Sequence, residues 1–382
     1  MRVAICQPLI PAYRLPLYER LGALPGIELT VYAGDSVDSL QAFHAGKSFK
    51  YVSAPVHHWA FGFRSQFAQV ASATRRRIDL LILPWDIHYL TLLPSLALAR
   101  SADIPTVLWG HGYSLRPNFI TDAARNACGK LANGVLLYTR SIAAQLVEEF
   151  GFSGERVFVA QNALDQAPIQ AARQHWLERP QELADFQRSH GLDPAQTILF
   201  VSRLEAGNRI DLLLQATQAL SHDYPGLKTV VVGDGSQRAQ LEGLARSLGI
   251  EGRIIFAGAI YEESRLAPWM LSAALFCYPT NIGLSLLHAF GYGLPAVTSD
   301  NRRAQNPEIE ALVPGVNGLE YKAGDLNDMV HSCSRILGDA DLRQRLSASA
   351  FQTSVKCYSL DQMIDGFRQV FKLAPRFHAT QD

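Results

Sequence analysis

Short apolar runs alternate with longer amphipathic stretches along the first half of the chain. The runs Val3–Cys6, Ile27–Tyr32, Leu80–Leu83, Thr106–Trp109, Val135–Tyr138 and Val157–Ala160 predict buried strands. Between them, Leu15–Leu24, Phe67–Arg77, Leu90–Ser101, Thr121–Ala132 and Ser141–Phe150 carry helical patterns. Alternation of this kind implies an α/β fold, a mainly parallel sheet covered on both faces. A polar, helix-prone stretch around Gln166–Leu192 breaks the pattern and reads as a connection. The alternation restarts with Ile198–Val201, Lys228–Val232, Arg253–Ala257, Leu275–Tyr278 and Pro295–Thr298, and the amphipathic segment Ser359–Leu373 reads as a packing helix. The expected organisation is an N-terminal domain over 1–168, a connection over 169–193, a second domain over 194–358, and a C-terminal helix in 359–382 that packs back towards the first. Two doubly wound domains in tandem create a ligand cleft at the carboxyl ends of their sheets.

Composition narrows the class. A chain of 382 residues exceeds the usual single-domain range, and 48% hydrophobic with 18% charged residues suits a globular protein with ample core. Lys+Arg and Asp+Glu are equal at 35 each, so no overall charge steers the chain towards nucleic acid. The one dense basic run, Arg75-Arg76-Arg77, is either the solvated end of a helix or a contact for a membrane or acidic substrate. The aromatic cluster Trp59, Phe61 and Phe63 stands nearby in sequence, which favours peripheral contact of the first domain with the inner membrane face. The cysteines (Cys6, Cys128, Cys277, Cys333, Cys357) have no C-x-x-C or metal-ligand spacing, as in a cytosolic protein with reduced thiols. Val3–Cys6, cut short by Gln7-Pro8, is too brief for a signal peptide, and Leu80–Ala99 contains Pro84, Asp86, His88 and Pro94 and cannot be a membrane span. The expected location is cytoplasmic.

Two stretches carry candidate chemistry. In the first, a buried strand runs into a loop with Arg203 at its exit and Arg209 at the start of the next helix. Fixed guanidinium groups beside a helix N-terminus suit a diphosphate, which they neutralise as it leaves; alternatively an arginine pairs with Glu205 or Asp211. In the second, a strand ends at Tyr278, and the loop Thr280-Asn281 leads to a helix near Gly283, whose free N–H groups from Gly283 through Leu284 to Ser285 form an anion site. His288 lies one turn on, either within reach of a ribose hydroxyl or as an ordinary helix residue. Gly233-Asp234-Gly235 also follows a strand, but Arg238 occupies the third glycine position, so no dinucleotide fingerprint is present. Gly233 is retained as a donor-side candidate.

These stretches resemble family 4 glycosyltransferases, the large retaining group of the GT-B fold. Arg203-Leu204 through Ile210-Asp211 follows that family's G-R-L-x-x-x-K-G-x-D stretch, and residues 280–289 with Gly293-Leu-Pro295-Ala-Val297 follow its E-G-x-G-L-x-x-x-E-A and G-x-P-V frame. Pro307-Glu308-Ile309-Glu310 with Gly318-Leu319 resembles the segment after it. In the first half the resemblance rests on Trp109-Gly-His111-Gly, the Tyr138 strand end and Val159–Asp165. The sequence departs from the pattern in five places. Asn208 stands at the phosphate-binding lysine, Arg209 at the adjacent glycine, and Thr280 and His288 at the two glutamates of E-x7-E. Pro11-Ala-Tyr13-Arg14 replaces the usual glycine pair after the first strand.

The resemblance implies two facing Rossmann-like domains with a cleft between them, and transfer of a sugar from a nucleoside diphosphate donor to a glycan, lipid-linked or small-molecule acceptor with retention, as in cell-surface polysaccharide or glycolipid synthesis. His111 is carried over as the residue near the transferred sugar, with Arg203 and Arg209 as the groups that stabilise the leaving diphosphate. Donor contacts are expected at Asn208, Gly233, Thr280, Asn281, Gly283, Leu284, Ser285 and His288. Arg14, Asp86 and His88 are acceptor-side candidates, and Arg14 either closes over the donor phosphates or caps the first helix. No D-x-D stands near a strand end and no carboxylate pair suggests a metal, so neither metal nor cofactor is expected beyond the nucleotide sugar as co-substrate. A sugar-nucleotide epimerase and a non-catalytic nucleotide-sugar-binding protein remain open alternatives, and a dehydrogenase is disfavoured by the broken glycine fingerprint.

Overall fold

The alternating runs close into two separate parallel sheets. The computed structural model describes residues 1–34, 48–75, 77–113 and 119–374. Arg76 of the expected basic run and the end of the 359–382 segment lie outside the described residues. The chain divides into one unit of Met1–Asn162 with Leu360–Asp382 and another of Ala163–Ser359.

The first unit holds β1 (Arg2–Leu9), β2 (Glu28–Gly34), β3 (Lys50–Ser53), β4 (His57–His58), β5 (Arg64–Ser65), β6 (Leu80–Pro84), β7 (Thr106–Gly110), β8 (Gly134–Leu137) and β9 (Val157–Val159). Seven of these form a parallel sheet in the order β3-β2-β1-β6-β7-β8-β9, and β4 and β5 pair as a short antiparallel hairpin. The chain runs outward from β1 to β3 and returns to β6 on the other side of β1, so the topological switch point lies between β1 and β6. The middle strands β6 and β8 are buried along their whole length, as their unbroken apolar sequences require. The helix Leu360–Phe371 groups with this unit and buries Leu360, Met363, Ile364, Phe367, Val370 and Phe371, an apolar stripe at helical spacing. Its Gly366 lies against β9, where a Cβ would come within 2.3 Å of the Val159 carbonyl oxygen.

The second unit holds β10 (Thr197–Val201), β11 (Lys228–Val232), β12 (Ile254–Gly258), β13 (Leu275–Cys277), β14 (Ala296–Ser299) and β15 (Gly318–Tyr321), parallel in the order β12-β11-β10-β13-β14-β15. That is the doubly wound Rossmann order, with its switch point between β10 and β13. The polar stretch expected as a connection forms the helices Gln166–Leu177 and Pro180–His190, which group with this unit. Asp165 caps the first by accepting a hydrogen bond from the Ala167 N–H, Pro180 opens the second, and Gly191 ends it in the left-handed conformation.

Two sheet strands carry no apolar run and are absent from the sequence-based prediction. Lys50-Tyr-Val-Ser is an edge strand exposed at both ends, and Gly318-Leu-Glu-Tyr holds a polar residue in its middle. Both are edge strands, where one-sided burial relaxes the demand for continuous apolar residues. The helix expected over Phe67–Arg77 stops at Ala73, and the strand expected to reach Tyr138 stops at Leu137.

Candidate functional site

In the second unit the candidate residues gather at the switch point. The chain leaves β10 through Ser202-Arg203 and leaves β13 through Tyr278, and the Tyr278 hydroxyl donates to Ser202 Oγ at 3.0 Å. A relay of carboxamides braces the two loops. Asn208 Nδ2 donates to the Arg203 carbonyl at 2.7 Å, Asn281 Nδ2 to Asn208 Oδ1 at 3.0 Å, and Asn306 Nδ2 to both the Asn281 carbonyl and its Oδ1 at 3.1 Å. Asn281 holds a left-handed backbone, φ 64°, which Asn tolerates better than most residues. Asn208, expected among the donor contacts, is thus buried and turned into this brace.

The brace fixes what it surrounds. Arg203 is exposed at the strand exit, and its guanidinium makes no hydrogen bond or ion pair among the described residues, though its charge acts on the Tyr278 hydroxyl. The helix Leu284–Tyr292 starts after Gly283 with no side-chain cap, so the N–H groups of its first turn, Leu284 and Ser285 among them, have no capping side-chain acceptor. Thr280, Leu284 and Ser285 are half-buried around that start. Arg209 takes the second of the alternatives left open by the sequence. Its Nε lies 3.0 Å and its Nη2 2.9 Å from the two carboxylate oxygens of Asp211. Arg209 also adopts φ 51°, ψ 45°, the conformation glycine favours, at the position where the resemblance has glycine. Gly233 is required by packing: at φ 144°, a Cβ would lie 1.8 Å from the Ser202 carbonyl oxygen.

His288 has a partner that sequence reasoning missed. Its Nε2 lies 2.8 Å from Glu263 Oε1, and the Tyr292 hydroxyl donates to the same oxygen at 2.5 Å. Glu263 opens the helix Glu263–Leu271, where a carboxylate in the first turn looks like an ordinary response to the helix dipole. No pattern in the sequence links it to a residue 25 positions on. Burial alone would raise the Glu263 carboxyl, but the hydrogen bonds from His288 and Tyr292 outweigh it and hold the pKa below the ordinary value. A depressed carboxyl adds stability above its unfolded pKa and loses it as pH falls through the folded value. Glu263→Gln is therefore expected to lower the unfolding free energy by about 1–2 kcal/mol at neutral pH. The gap from the parent should close as pH drops below the carboxylate range, which urea titrations at several pH values measure. A gap that is constant with pH would mean the carboxylate's charge plays no part.

In the first unit a cavity of about 750 Å³ opens at the carboxyl ends of β1, β6, β7 and β8, at that sheet's switch point. Asp86, His88, Trp109, His111 and Tyr138 line it. Asp86 is the hub of its rim: Arg64 Nη2 lies 2.8 Å from one carboxylate oxygen, and His88 Nδ1 2.8 Å from the other. The His111 ring packs 5.0 Å from that of Tyr138. Desolvation, followed by the charge of Arg14, lowers the His111 pKa, which favours the neutral imidazole. The buried Trp109 indole N–H has no hydrogen-bond partner among the described residues.

Of the two roles the sequence left open for Arg14, capping the first helix is not the one it takes. It stands at the N-cap of the first helix, but no side chain caps that helix. Its guanidinium is buried over the rings of Trp109 (5.0 Å), Tyr138 (5.2 Å) and Tyr13 (5.4 Å). Nη1 points to Met363 Sδ at 3.6 Å, in the helix Leu360–Phe371. The cation stiffens the wall behind His111 through cation–π contacts.

Comparison with known proteins agrees with this geometry. Residues 17–167 match the model described as Glycosyltransferase Family 4, and residues 195–339 the model described as Glycosyl transferases group 1. The lipopolysaccharide core biosynthesis glycosyltransferase LpsE of Rhizobium meliloti is 27% identical over 184 residues, 47% of this chain and 51% of that protein. The chain thus spans about half the length of that relative. Alpha-D-kanosaminyltransferase of Streptomyces kanamyceticus is 23% identical over 305 residues, covering 77% of this chain and 71% of that one. Among solved structures, Anabaena HepE in complex with UDP superposes with a TM-score of 0.73 at 16% identity, over 97% of this chain and 99% of that one. HepE in complex with UDP-glucose gives 0.64 at 16% identity, covering 98% and 99%. With the two domain models matched in order, one on each Rossmann-like unit, the chain belongs to the GT-B glycosyltransferases, with a family 4 domain followed by a group 1 domain.

Proposed function

We propose that the protein moves a sugar from a nucleoside diphosphate sugar to a hydroxyl of a glycan, lipid-linked or small-molecule acceptor, with retention and without a metal ion. The observation that carries this reading is the Arg203 guanidinium, without a hydrogen bond or ion pair among the described residues, at the switch point of the second sheet, where the uncapped helix Leu284–Tyr292 also begins. A guanidinium and a row of amide N–H groups supply the positive charge that a departing diphosphate needs. The HepE complexes with UDP and UDP-glucose, on the same fold, support a nucleotide-sugar donor. In this reading the donor's leaving phosphate takes the acceptor proton, neutral His111 holds the transferred sugar by hydrogen bonding, and the cavity lined by Asp86 and His88 receives the acceptor. Arg209, held by Asp211, adds charge at the edge of the donor site. The reaction serves cell-surface polysaccharide or glycolipid synthesis on the cytoplasmic side of a membrane, with the protein in peripheral contact with the bilayer.

Thermal unfolding with UDP-, GDP-, ADP- and dTDP-sugars tests the donor. One of them, at ~100 times its dissociation constant, should add about 2.7 kcal/mol, and that donor should then give a product with an acceptor from a saccharide and glycolipid panel. A donor altered without any acceptor would make the protein an epimerase. Stabilisation with no turnover across the panel would make it a binding protein.

A further inference from the structure

The hairpin of β4 and β5 carries the most exposed aromatic surface among the described residues. Its tip is Trp59-Ala60-Phe61-Gly62-Phe63, closed by a hydrogen bond from the Trp59 N–H to the Phe63 carbonyl at 2.8 Å. Phe61 is 95% exposed, Phe67 60% and Trp59 55%. The Trp59 indole N–H donates to Ser65 Oγ at 2.9 Å, so its polar edge is satisfied within the protein while its faces meet solvent. Phe61 sits at φ 58°, ψ 24°, a left-handed conformation costly for a bulky residue. Leu90 and Leu93 extend the patch, and the Leu90 N–H donates to the Arg64 carbonyl at 2.8 Å, which ties that segment to the hairpin.

The hairpin's own segment carries charge of one sign, and the Asp86 carboxylate that meets it is taken up by Arg64 and His88. From Ser48 to Ile78 the sequence holds Lys50, Arg64, Arg75, Arg76 and Arg77 but no Asp or Glu. Beside the hairpin lies a groove of about 260 Å³ with an apolar floor that includes Val52, Pro55 and Ala68; Phe67, His57 and Arg75 also line it. Exposed Trp and Phe at a loop tip, with the exposed cations Arg75 and Arg77 nearby in sequence, match the headgroup region of an anionic bilayer. There aromatic rings sit at the interface and Lys or Arg meets lipid phosphate.

We propose that the first unit seats on an anionic bilayer through the Trp59–Phe63 hairpin, with Phe61 and Phe67 entering the headgroup region and Arg75 and His57 against lipid phosphates. Arg64 and His88 line the cavity, and Arg64 belongs to the hairpin, so the seat brings the cavity to the membrane surface. A lipid-linked acceptor for the cavity rests on the transferase reading given above; the seating itself does not. The test uses the full chain with vesicles of phosphatidylcholine alone, and of phosphatidylcholine and phosphatidylglycerol in equal parts, at low and high salt, without donor or acceptor. Co-sedimentation with the anionic vesicles should exceed that with the neutral ones and should fall at high salt. Phe61→Asn should weaken partitioning about tenfold or more, because it removes a phenyl ring from the interface. Asn accepts a left-handed backbone more readily than Phe, so the variant's urea midpoint should be no lower than the parent's. No sedimentation with anionic vesicles at low salt overturns the proposal, as does undiminished binding by Phe61→Asn. Light scattering that shows Phe61→Asn abolishing a dimer, with vesicles left unbound, assigns the hairpin to a second copy instead and also overturns it. The readout needs no turnover, so its failure and a failed transferase assay are separate results.

Discussion

Arg203→Ala is expected to lower turnover by roughly 100-fold or more while leaving the urea midpoint unchanged, because the side chain acts on charge that develops as the donor breaks apart. Arg203 is held through its backbone while its charge is not used up. Its main-chain carbonyl accepts from Asn208, which belongs to the carboxamide relay, and its side chain makes no hydrogen bond or ion pair among the described residues. Arg209 differs: its Nε and Nη2 already bind Asp211, so part of its charge is offset before any ligand arrives. Arg203 should therefore matter more, with Arg209→Ala acting mainly on donor KM. Removing a contact made only as the diphosphate leaves lowers kcat and kcat/KM together, which steady-state kinetics separates from a binding defect. EDTA should leave the rate unchanged, since side-chain and helix N–H charge does the neutralising. Full activity in Arg203→Ala, or complete loss with EDTA, would sink this account.

The parts of the fold visible in the sequence were those buried on both sides. Leu80–Pro84 and Lys228–Val232 show as apolar runs because both faces of those strands need apolar side chains. Lys50–Ser53 and Gly318–Tyr321 hide because edge strands tolerate polar residues. At the site the same division holds. Arg203 and the loop–helix turn at Gly283 were legible from local order, a strand exit followed by a helix start. The pairing of His288 with Glu263 was not, nor was the relay from Asn208 through Asn281 to Asn306, because each joins positions on different loops or helices and leaves no periodic trace. The departures from the family pattern acquire local reasons from that relay. Where the resemblance has a lysine, the chain has a buried carboxamide that ties two loops together, and where it has glycine, Arg209 accepts the left-handed turn.

Gly233→Ala is expected to cost about 3 kcal/mol or more of folding stability, a sum of backbone strain at a glycine-only conformation and steric overlap. The overlap is with main chain, so no side chain can swing away to relieve it. A Cβ on Gly233 would lie 1.8 Å from the Ser202 carbonyl oxygen, and one on Gly235 would meet the Leu204 main chain at 2.6 Å. The two glycines therefore let the exit of β11 lie directly on the exit of β10, and the Leu204 N–H seals the approach by donating to the Asp234 carbonyl at 3.0 Å. Gly233 itself donates to the Gly258 carbonyl at 2.8 Å, so it cannot move away from β10 without pulling on β12. Gly252→Ala is the control, because a Cβ there meets nothing within 4 Å, and it should stay within about 0.5 kcal/mol of the parent. The consequence reaches function because Ser202 immediately precedes Arg203. A variant that survives by shifting Ser202 should bind its donor less well at temperatures where it is still folded. Urea unfolding of both variants, followed by donor titration below the transition, separates the two effects. Parental stability in Gly233→Ala would mean that the strand exits are less closely packed than this geometry requires. Lost stability with parental donor affinity would mean that Gly233 shapes the fold but not the seat of Arg203.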